Sequence, residues 1–300
     1  MDIQFKKPEL EDREYINSYI HKQCSRSCEY TFANIYLWSR LYPVEYGTVE
    51  NMVVFKTLDG ENMFAFPMGE PQYLKGCVDA LTAWCRERNL PLRFHSISEE
   101  QFALLENLYP GRFSVEYDRD FADYVYDREK LATLSGKKYH GKKNHLNAFK
   151  RDYEGRYEFK ILTKNNEKEI LDFIDKWKIT KEHSQEHEFI DSEAKGVKFL
   201  LDNEEYLDYK MAGVYIDGEL KAFTIGNYYK EEDMVYIPVE KADHNIRGLY
   251  QYICSEFLKE VFPMAGKVNR EDDMGLDGLR KSKESYNPIY MIEKYTIIQK

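Results

Sequence analysis

The order of helical and strand patterns constrains the fold of this chain more than any single motif, because the same order occurs twice. Each half contains two helices, three short strands, a helix, a strand, a helix and a last strand, and the second half has an extra strand in front at residues 157–162. The residues themselves do not visibly repeat. A repeated order of elements predicts two domains that arose by duplication.

Turn signals and apolar spacing locate the elements. Asp59-Gly60 and Asp217-Gly218 are typical of tight hairpins and fall between predicted strands. A helix is predicted from Pro71, which suits a first turn, and another after Asn245, where apolar residues recur at i, i+3 and i+4. The last helix is predicted to begin near Gly275. The predicted strands are residues 45–49, 52–58, 63–68, 92–96 and 113–126, then 157–162, 211–216, 220–229, 234–240, 267–269 and 289–298.

Length and composition are those of a globular protein. The 300 residues suffice for two domains with separate cores, and 43% hydrophobic residues with 25 Tyr and 17 Phe argue against disorder. No apolar run approaches the roughly 20 residues that cross a membrane, and no export signal is visible, so we expect a cytoplasmic protein without a transmembrane segment. Five cysteines, an odd number, predict free thiols.

A basic segment lies at the start of the second predicted domain. The domains are predicted as residues 1–127 and 128–300, with a basic amphipathic helix over residues 136–153 that contains Lys142 and Lys143. Because the chain has a formal net charge of -10, a polyanion is expected to bind only at such a local basic island. The segment therefore predicts either phosphate binding, on CoA, a lipid head group or tRNA, or a solvated connector.

A possible metal motif occurs at His183 to His187, whose letters HSQEH match the HxxEH spacing of inverted zinc proteases. No third ligand is identified downstream, so we expect no metal and keep a metalloprotease as an alternative. The chain has no GxSxG, Walker or GxGxxG motif, which removes the usual anchors of serine hydrolases, P-loop NTPases and dinucleotide-dependent enzymes.

The order of elements resembles that of the GNAT acyltransferase fold. The expected fold class is α+β, with two tandem GNAT-like domains and mixed, mostly antiparallel sheets. The resemblance implies that acyl-CoA lies where two central strands, residues 234–240 and 267–269, splay apart, with its pyrophosphate at the N-terminus of the next helix. The loop pattern of the GNAT fold is met in part, and its candidate CoA contacts are Asn245, Arg247 and Gly248.

Two stretches resemble a more specific family. GKKYHGKKNHLNAFKRDY and NREDDMGLDGLRKSKESYNPIYMIEKY look like the C-terminal catalytic domain of phosphatidylglycerol lysyltransferases, which is related to the Fem aminoacyltransferases. The resemblance implies transfer of an acyl or aminoacyl group from acyl-CoA or aminoacyl-tRNA, with CoA preferred, to an amine or hydroxyl of a small-molecule or peptide acceptor. Lipid is a doubtful acceptor because the chain has no membrane-spanning half.

Candidate catalytic residues cluster around the predicted splay. An attacking amine must lose a proton, so a carboxylate base is required, and Glu240 and Glu271 are the candidates. In the GNAT order, Tyr286 is placed to protonate the leaving group, and Asn269 to orient the carbonyl. Cations expected to contact phosphate are Lys142, Lys143, Arg280 and Lys283. The alternative function is a non-catalytic GNAT-fold module that binds RNA or an acidic ligand, with the same cations capping helices.

Overall fold

The computed structural model describes residues 3–22, 25–57, 63–180 and 187–300. Within these ranges the helices are α1 (Arg13–Ile20), α2 (Phe32–Leu41), α3 (Leu74–Glu87), α4 (Glu99–Leu108), α5 (Arg128–Thr133), α6 (His140–Asp152), α7 (Glu167–Thr180), α8 (His187–Asp202), α9 (Leu249–Glu260) and α10 (Asp277–Glu284). The strands are β1 (Val44–Val49), β2 (Met52–Thr57), β3 (Met63–Phe64), β4 (Arg93–Ile97), β5 (Phe113–Tyr117), β6 (Asp123–Asp127), β7 (Tyr157–Leu162), β8 (Lys210–Ile216), β9 (Glu219–Tyr229), β10 (Met234–Ala242), β11 (Lys267–Asn269), β12 (Tyr290–Ile292) and β13 (Tyr295–Gln299).

The predicted order of elements is confirmed, with three strands corrected. The strand predicted over residues 63–68 is β3, which covers only Met63 and Phe64. The strand predicted over residues 113–126 is β5 and β6, separated by a short 3-10 turn, and the strand predicted over residues 289–298 is β12 and β13. The members of each pair belong to different sheets. Apolar residues continue through both breaks, so the sequence pattern hides them. The Asp59-Gly60 turn and residues 183–186 of the HxxEH motif lie outside the described residues.

The chain forms two compact units, of which unit 1 comprises Met1–Asp123, Asp272–Leu276 and Met291–Lys300. Its sheet has the order β1-β2-β3-β4-β13-β5. The β1-β2 hairpin turns at Glu50 and Asn51, both with positive φ, as a two-residue hairpin of this kind requires. Strand β13 pairs antiparallel with both β4 and β5. The last strand of the chain therefore completes the sheet of unit 1, although its position in the sequence predicted a place in the second half.

Unit 2 comprises Tyr124–Glu271 and Asp277–Tyr290. The sheet that runs through it has the order β12-β6-β11-β10-β9-β8-β7. The predicted turn Asp217-Gly218, with φ of 51° and 81°, joins β8 to β9. Helix α9 buries the predicted apolar face, which includes Leu249, Ile253 and Phe257. The division of the sequence into domains 1–127 and 128–300 stays a prediction.

The central parallel strands of unit 2 diverge. Strand β10 pairs with β11 only over Met234 to Tyr236, and its register against β9 shifts between Tyr236 and Val239. Beyond this irregularity β10 continues beside β9 to Ala242, while β11 ends at Asn269. The two parallel strands therefore stop pairing after Tyr236 and Asn269, at the position where the resemblance to the GNAT fold predicted the splay.

Two further predictions concern cysteines and membrane spans. Cys28, Cys77, Cys85 and Cys254 are buried and form no disulfide, as predicted, and Cys24 lies outside the described residues. Among the helices of the described ranges, none is both long enough and apolar enough to cross a bilayer.

Candidate functional site

An ion pair lies at the splay of unit 2. Glu240 is on β10 beyond the register shift, and Arg270 directly follows β11. Arg270 Nη2 donates to Glu240 Oε1 at 2.8 Å, and the two side chains are 13% and 6% exposed. The sequence predicted Glu240 here but missed Arg270. Its position one residue after the short strand was the available signal, because side chains at the carboxyl ends of parallel strands converge.

Each member of the ion pair has one polar atom without a partner. Glu240 Oε2 and Arg270 Nη1 are both buried, and neither has a hydrogen bond of normal geometry with the described residues, although the Cys254 thiol lies near the Glu240 carboxylate. Buried polar atoms are rarely left unpaired in proteins, since each costs about 1–3 kcal/mol. An acceptor and a donor that are unpaired on the same ion pair therefore indicate a place for a ligand or water with complementary groups.

Burial controls the protonation of this pair. Burial raises the pKa of Glu240 above its ordinary value, and Arg270 and the Cys254 thiol oppose that rise without cancelling it. For Arg270, burial lowers the pKa, but Glu240 together with Cys254, Tyr126 and Tyr286 outweighs burial, and the net pKa is higher than usual. Glu240 is therefore a stronger base than an exposed glutamate, and Arg270 stays a cation.

Tyr286 forms the next part of the site. Its ring is buried, and its hydroxyl accepts a hydrogen bond from Gln251 Nε2 of α9 at 2.9 Å. Burial raises the pKa of Tyr286 above its ordinary value, so the phenol keeps its proton. Arg270 Cζ lies 5.1 Å from the ring centroid. The structure thus places Tyr286 and Glu240, two of the predicted catalytic residues, against the same arginine, Arg270.

Two predicted phosphate ligands take different positions. Lys142 of α6 is half-buried, with Nζ 4.2 Å from the centroid of the Tyr286 ring. Lys283 is buried and its ammonium donates to the carbonyl oxygen of Arg270, while Tyr126 donates to the carbonyl oxygen of Lys283 at 2.9 Å. Lys142 belongs to the site as a side chain, whereas Lys283 fixes the backbone of Arg270.

Asn269 and Glu271 support the turn after β11. Asn269 is fully buried, and its Oδ1 accepts a hydrogen bond from the backbone N–H of Glu271 at 2.7 Å. Glu271 has φ of 58°, and its carbonyl accepts from Tyr124 N at 3.1 Å. These contacts hold a left-handed residue next to Arg270. The predicted role of Asn269 in orienting a substrate carbonyl and that of Glu271 as a base stay predictions.

The acidic residues that follow belong to unit 1. The carboxylates of Asp272 and Asp273 accept from the backbone N–H groups of Met274 and Gly275, each at 3.0 Å, and Asp273 pairs with Arg119 at 3.1 Å. The helix predicted from Gly275 begins at Asp277, because these turns precede it.

The predicted CoA loop leads into α9. Asn245 and Arg247 are exposed, and Asn245 donates through both its backbone N–H and its side chain to Asp243. Gly248, with φ of 85°, is the N-cap, so α9 begins later than predicted. A Cβ on Gly248 would lie 2.0 Å from the carbonyl oxygen of His145 in α6. The backbone of α6 therefore packs directly against the N-terminus of α9.

The remaining predicted cations lie at or near the surface of unit 2. Lys143 is exposed and Arg280 is half-buried. Lys137 and Lys138, which precede α6, are exposed as well. The predicted basic helix is thus α6 preceded by a 3-10 turn, Lys137–Tyr139, and it carries two half-buried lysines, Lys142 and Lys150, besides exposed cations.

A second charged cluster lies in unit 1. Acid and thiol atoms of Cys28, Glu29 and Asp123 lie within 4.8 Å of one another, a spacing that suits a metal ion. However, the Lys294 ammonium donates to Glu29 Oε1 and Asp123 Oδ1, each at 2.7 Å, and to Cys28 Sγ at 3.7 Å. The Lys294 ammonium thus occupies the position that a metal ion would take. The sequence did not predict this arrangement because its members lie far apart in the chain.

Comparison with known proteins gives a family match over most of the chain. The family described as phosphatidylglycerol lysyltransferase, C-terminal, matches residues 23–298. An uncharacterised protein of Mycoplasmoides gallisepticum is 27% identical over 175 residues, and the match spans 58% of this chain and 55% of that protein. The chain thus matches about half the length of this curated relative.

Solved structures agree with this match. A Bacteroides thetaiotaomicron protein of unknown function is 32% identical, with 100% of both chains covered and a TM-score of 0.91. L-PGS from Bacillus licheniformis is 15% identical, with 96% of this chain and 92% of that chain covered and a TM-score of 0.67. A tandem GNAT protein from the clavulanic acid biosynthesis pathway is 8% identical, with 99% and 98% covered and a TM-score of 0.52. The α+β fold with tandem GNAT-like units is confirmed.

Proposed function

Since the chain belongs to the family of the phosphatidylglycerol lysyltransferase C-terminal domain, we propose that it is a transferase that moves an aminoacyl group from aminoacyl-tRNA to an amine or hydroxyl acceptor. The observation that carries the proposal is the buried Glu240–Arg270 pair with one unpaired acceptor, Oε2, and one unpaired donor, Nη1. Acyl transfer needs a proton acceptor for the attacking group and a hydrogen-bond donor for the carbonyl oxygen, both beside the reacting carbonyl.

The proposed step uses three side chains. The acceptor nitrogen or oxygen attacks the ester carbonyl carbon, and Glu240 Oε2 takes the proton that it loses. Arg270 Nη1 donates to the carbonyl oxygen as negative charge develops there, and the buried site strengthens this interaction. The ester C–O bond then breaks, and the Tyr286 hydroxyl, which Gln251 orients, gives its proton to the leaving ribose oxygen. Tyr286 recovers a proton from Glu240 through solvent.

The packing of Gly248 supports RNA rather than CoA as the source of the acyl group. In the GNAT fold the pyrophosphate of CoA needs open space at the N-terminus of the helix, but the His145 carbonyl lies against this residue. The exposed cations on and before α6, among them Lys143, supply a surface for the phosphates of an acceptor stem. Acyl-CoA, which the sequence favoured, becomes the second candidate donor.

The test is consumption of aminoacyl-tRNA by the purified protein, with hydroxylamine as a simple amine acceptor and aminoacyl hydroxamate as the measured product. We expect Glu240→Gln to slow the reaction by roughly 10²–10⁴-fold. Glu271→Gln tests the second candidate base, and we expect the larger loss in Glu240→Gln because Glu240 is the carboxylate that lies beside Arg270. Thermal unfolding of both variants controls for folding.

Three results would decide against parts of this scheme. Equal loss in both variants removes the assignment of Glu240 as the base. Consumption of acetyl-CoA but not of aminoacyl-tRNA reverses the choice of donor. Binding of tRNA that weakens steeply with salt, without any ester consumed, identifies the alternative, a non-catalytic RNA-binding module.

A further inference from the structure

Strand β5 forms an open edge of the sheet of unit 1. It lies at one end of the strand order, residues 114–117 are all exposed, and Val115 and Tyr117 are 44% and 46% exposed. At the other end of this sheet β1 is covered, because Lys6 of the N-terminal segment exchanges backbone hydrogen bonds with Tyr46 at 2.9 and 2.7 Å. Proteins normally protect an edge strand with a covering segment, a bulge or a proline. Within the described residues β5 has none of these, since its register against β13 is regular.

The backbone of β5 leaves hydrogen-bonding groups on this edge. In an antiparallel pair, successive residues direct their N–H and C=O groups alternately to the two sides of the strand. Arg112 O accepts from Lys300 N at 2.9 Å, and Asp118 N donates to Lys294 O at 3.0 Å, so the even-numbered positions face β13. The odd-numbered residues, whose groups face the open edge, are Phe113, Val115 and Tyr117. A second strand can therefore pair there without breaking any hydrogen bond to β13.

The two ends of β5 carry opposite charges. At the N-terminal end Arg112 is exposed, and so is Lys300, whose backbone is hydrogen-bonded to it. At the C-terminal end lie three carboxylates, those of Glu116, Asp118 and Asp120. Burial raises the pKa of Asp118, and the neighbouring charges of Asp120 and Glu116 add to the rise. A cation stabilises such an acidic end, and an antiparallel copy of β5 places its own basic end beside it.

We propose that two copies of this chain form a symmetric dimer in which β5 pairs antiparallel with β5 of the second copy. The register that uses all five residues places Val115 on the twofold axis and Phe113 of each copy opposite Tyr117 of the other. It brings the odd-numbered residues of both strands face to face, as hydrogen bonding between them requires. It also places Arg112 of each copy opposite Asp118 of the other, so that two cross-strand ion pairs form. The dimer is independent of the proposed transfer, because β5 belongs to unit 1 and the candidate site to unit 2.

The experiment measures the mass of the full chain in solution by sedimentation velocity over a range of protein concentrations, and we expect a monomer–dimer equilibrium. Val115→Pro removes the N–H group on the twofold axis but no hydrogen bond to β13, so it should abolish the dimer and keep the circular dichroism spectrum. Ile161→Pro is the matched control on β7, an edge strand of the other sheet, where the N–H of Ile161 also points away from its neighbouring strand. This variant should dimerise as the unchanged protein does.

Exchange of charges tests the register. Arg112→Glu places like charges opposite each other at both symmetric positions, so it should weaken dimerisation by roughly tenfold or more. Asp118→Arg should weaken it as well, and the double variant Arg112→Glu/Asp118→Arg should restore it, because the two charges are exchanged. A protein that is monomeric at every concentration, or a dimer that Val115→Pro leaves intact, overturns the proposal. Equal loss of the dimer in Val115→Pro and Ile161→Pro overturns it too, as does a double variant that dimerises no better than the single variants.

Discussion

Replacing Gly248 by alanine tests how closely α6 packs against α9. The added Cβ would lie 2.0 Å from the His145 carbonyl oxygen and 3.0 Å from Phe149 Cβ, whereas ordinary contacts are 3.4–4 Å. Helix α6 would therefore have to move by more than about 1 Å at this point. A left-handed backbone costs an alanine roughly 1–2 kcal/mol. Overpacking of a tight contact costs about 1–3 kcal/mol more.

We therefore expect Gly248→Ala to lower the free energy of unfolding by roughly 2–5 kcal/mol, measured by urea titration. Gly141→Ala is the matched control. Gly141 lies in α6 with nothing within 4 Å of an added Cβ, so alanine there should raise stability by about 0.5–1 kcal/mol. If both variants unfold like the unchanged protein, the close approach of α6 to the N-terminus of α9 is wrong.

Three other variants or conditions test the site and the charged cluster of unit 1. Because burial raises the pKa of Glu240, the acidic limb of the pH profile of hydroxamate formation should lie above the ordinary glutamate range, and its absence in Glu240→Gln would confirm the assignment. Lys294→Met should cost about 3–5 kcal/mol in urea unfolding, since it leaves Glu29 and Asp123 without their cation. Burial would raise the pKa of Glu29, but Lys294, the Ser27 hydroxyl and the backbone together hold it below its usual value. The stability that this carboxylate contributes is therefore present above about pH 4.3 and should be lost on acidification, and an acid titration of unfolding with the opposite sign contradicts this account.

The sequence predicted most elements because local signals agree with the fold at those points. The apolar spacing of α9, for example, matches the face that it buries. Glu50 and Asn51 adopt the positive φ values that a two-residue hairpin needs. In these cases the information lies within a few residues, so a reading of the sequence recovers it.

Long-range pairing was harder to predict. Strand β13 lies between β4 and β5 in the sheet, and the alternation of its residues does not predict which strands it pairs with. Arg270 was missed for a related reason. Arg270 lies one residue after a three-residue strand, and in the sequence its charge is not distinguishable from the run of charged residues that follows. Only the register of β10 against β11 places it beside Glu240. Glu240 itself was predicted because the GNAT order places a carboxylate there.

Lys294 and Lys142 differ in their hydrogen-bond and ion-pair partners, and this difference distinguishes a structural charge from a functional one. The ammonium of Lys294 is 1% exposed and has an acceptor for each of its three N–H groups: Glu29, Asp123 and the Cys28 thiol. The pKa of Lys294, which burial alone would lower, is held well above its ordinary value by these neighbours. All three N–H groups of this ammonium have acceptors within unit 1, so a ligand would form no additional hydrogen bond with it.

Lys142 has the opposite arrangement. It is partly withdrawn from water, its pKa is lowered by burial and by Arg270, and no acid in the described part of the chain compensates. A cation in this position destabilises the free protein and is stabilised when an anion binds, so part of the cost appears as affinity for the ligand. Together with the unpaired Oε2 of Glu240 and Nη1 of Arg270, this places the incomplete interactions of unit 2 around one ring, that of Tyr286. A substrate that completes the two unpaired atoms of the ion pair carries a group that gives up a proton and a carbonyl oxygen, which are the groups that the proposed transfer requires.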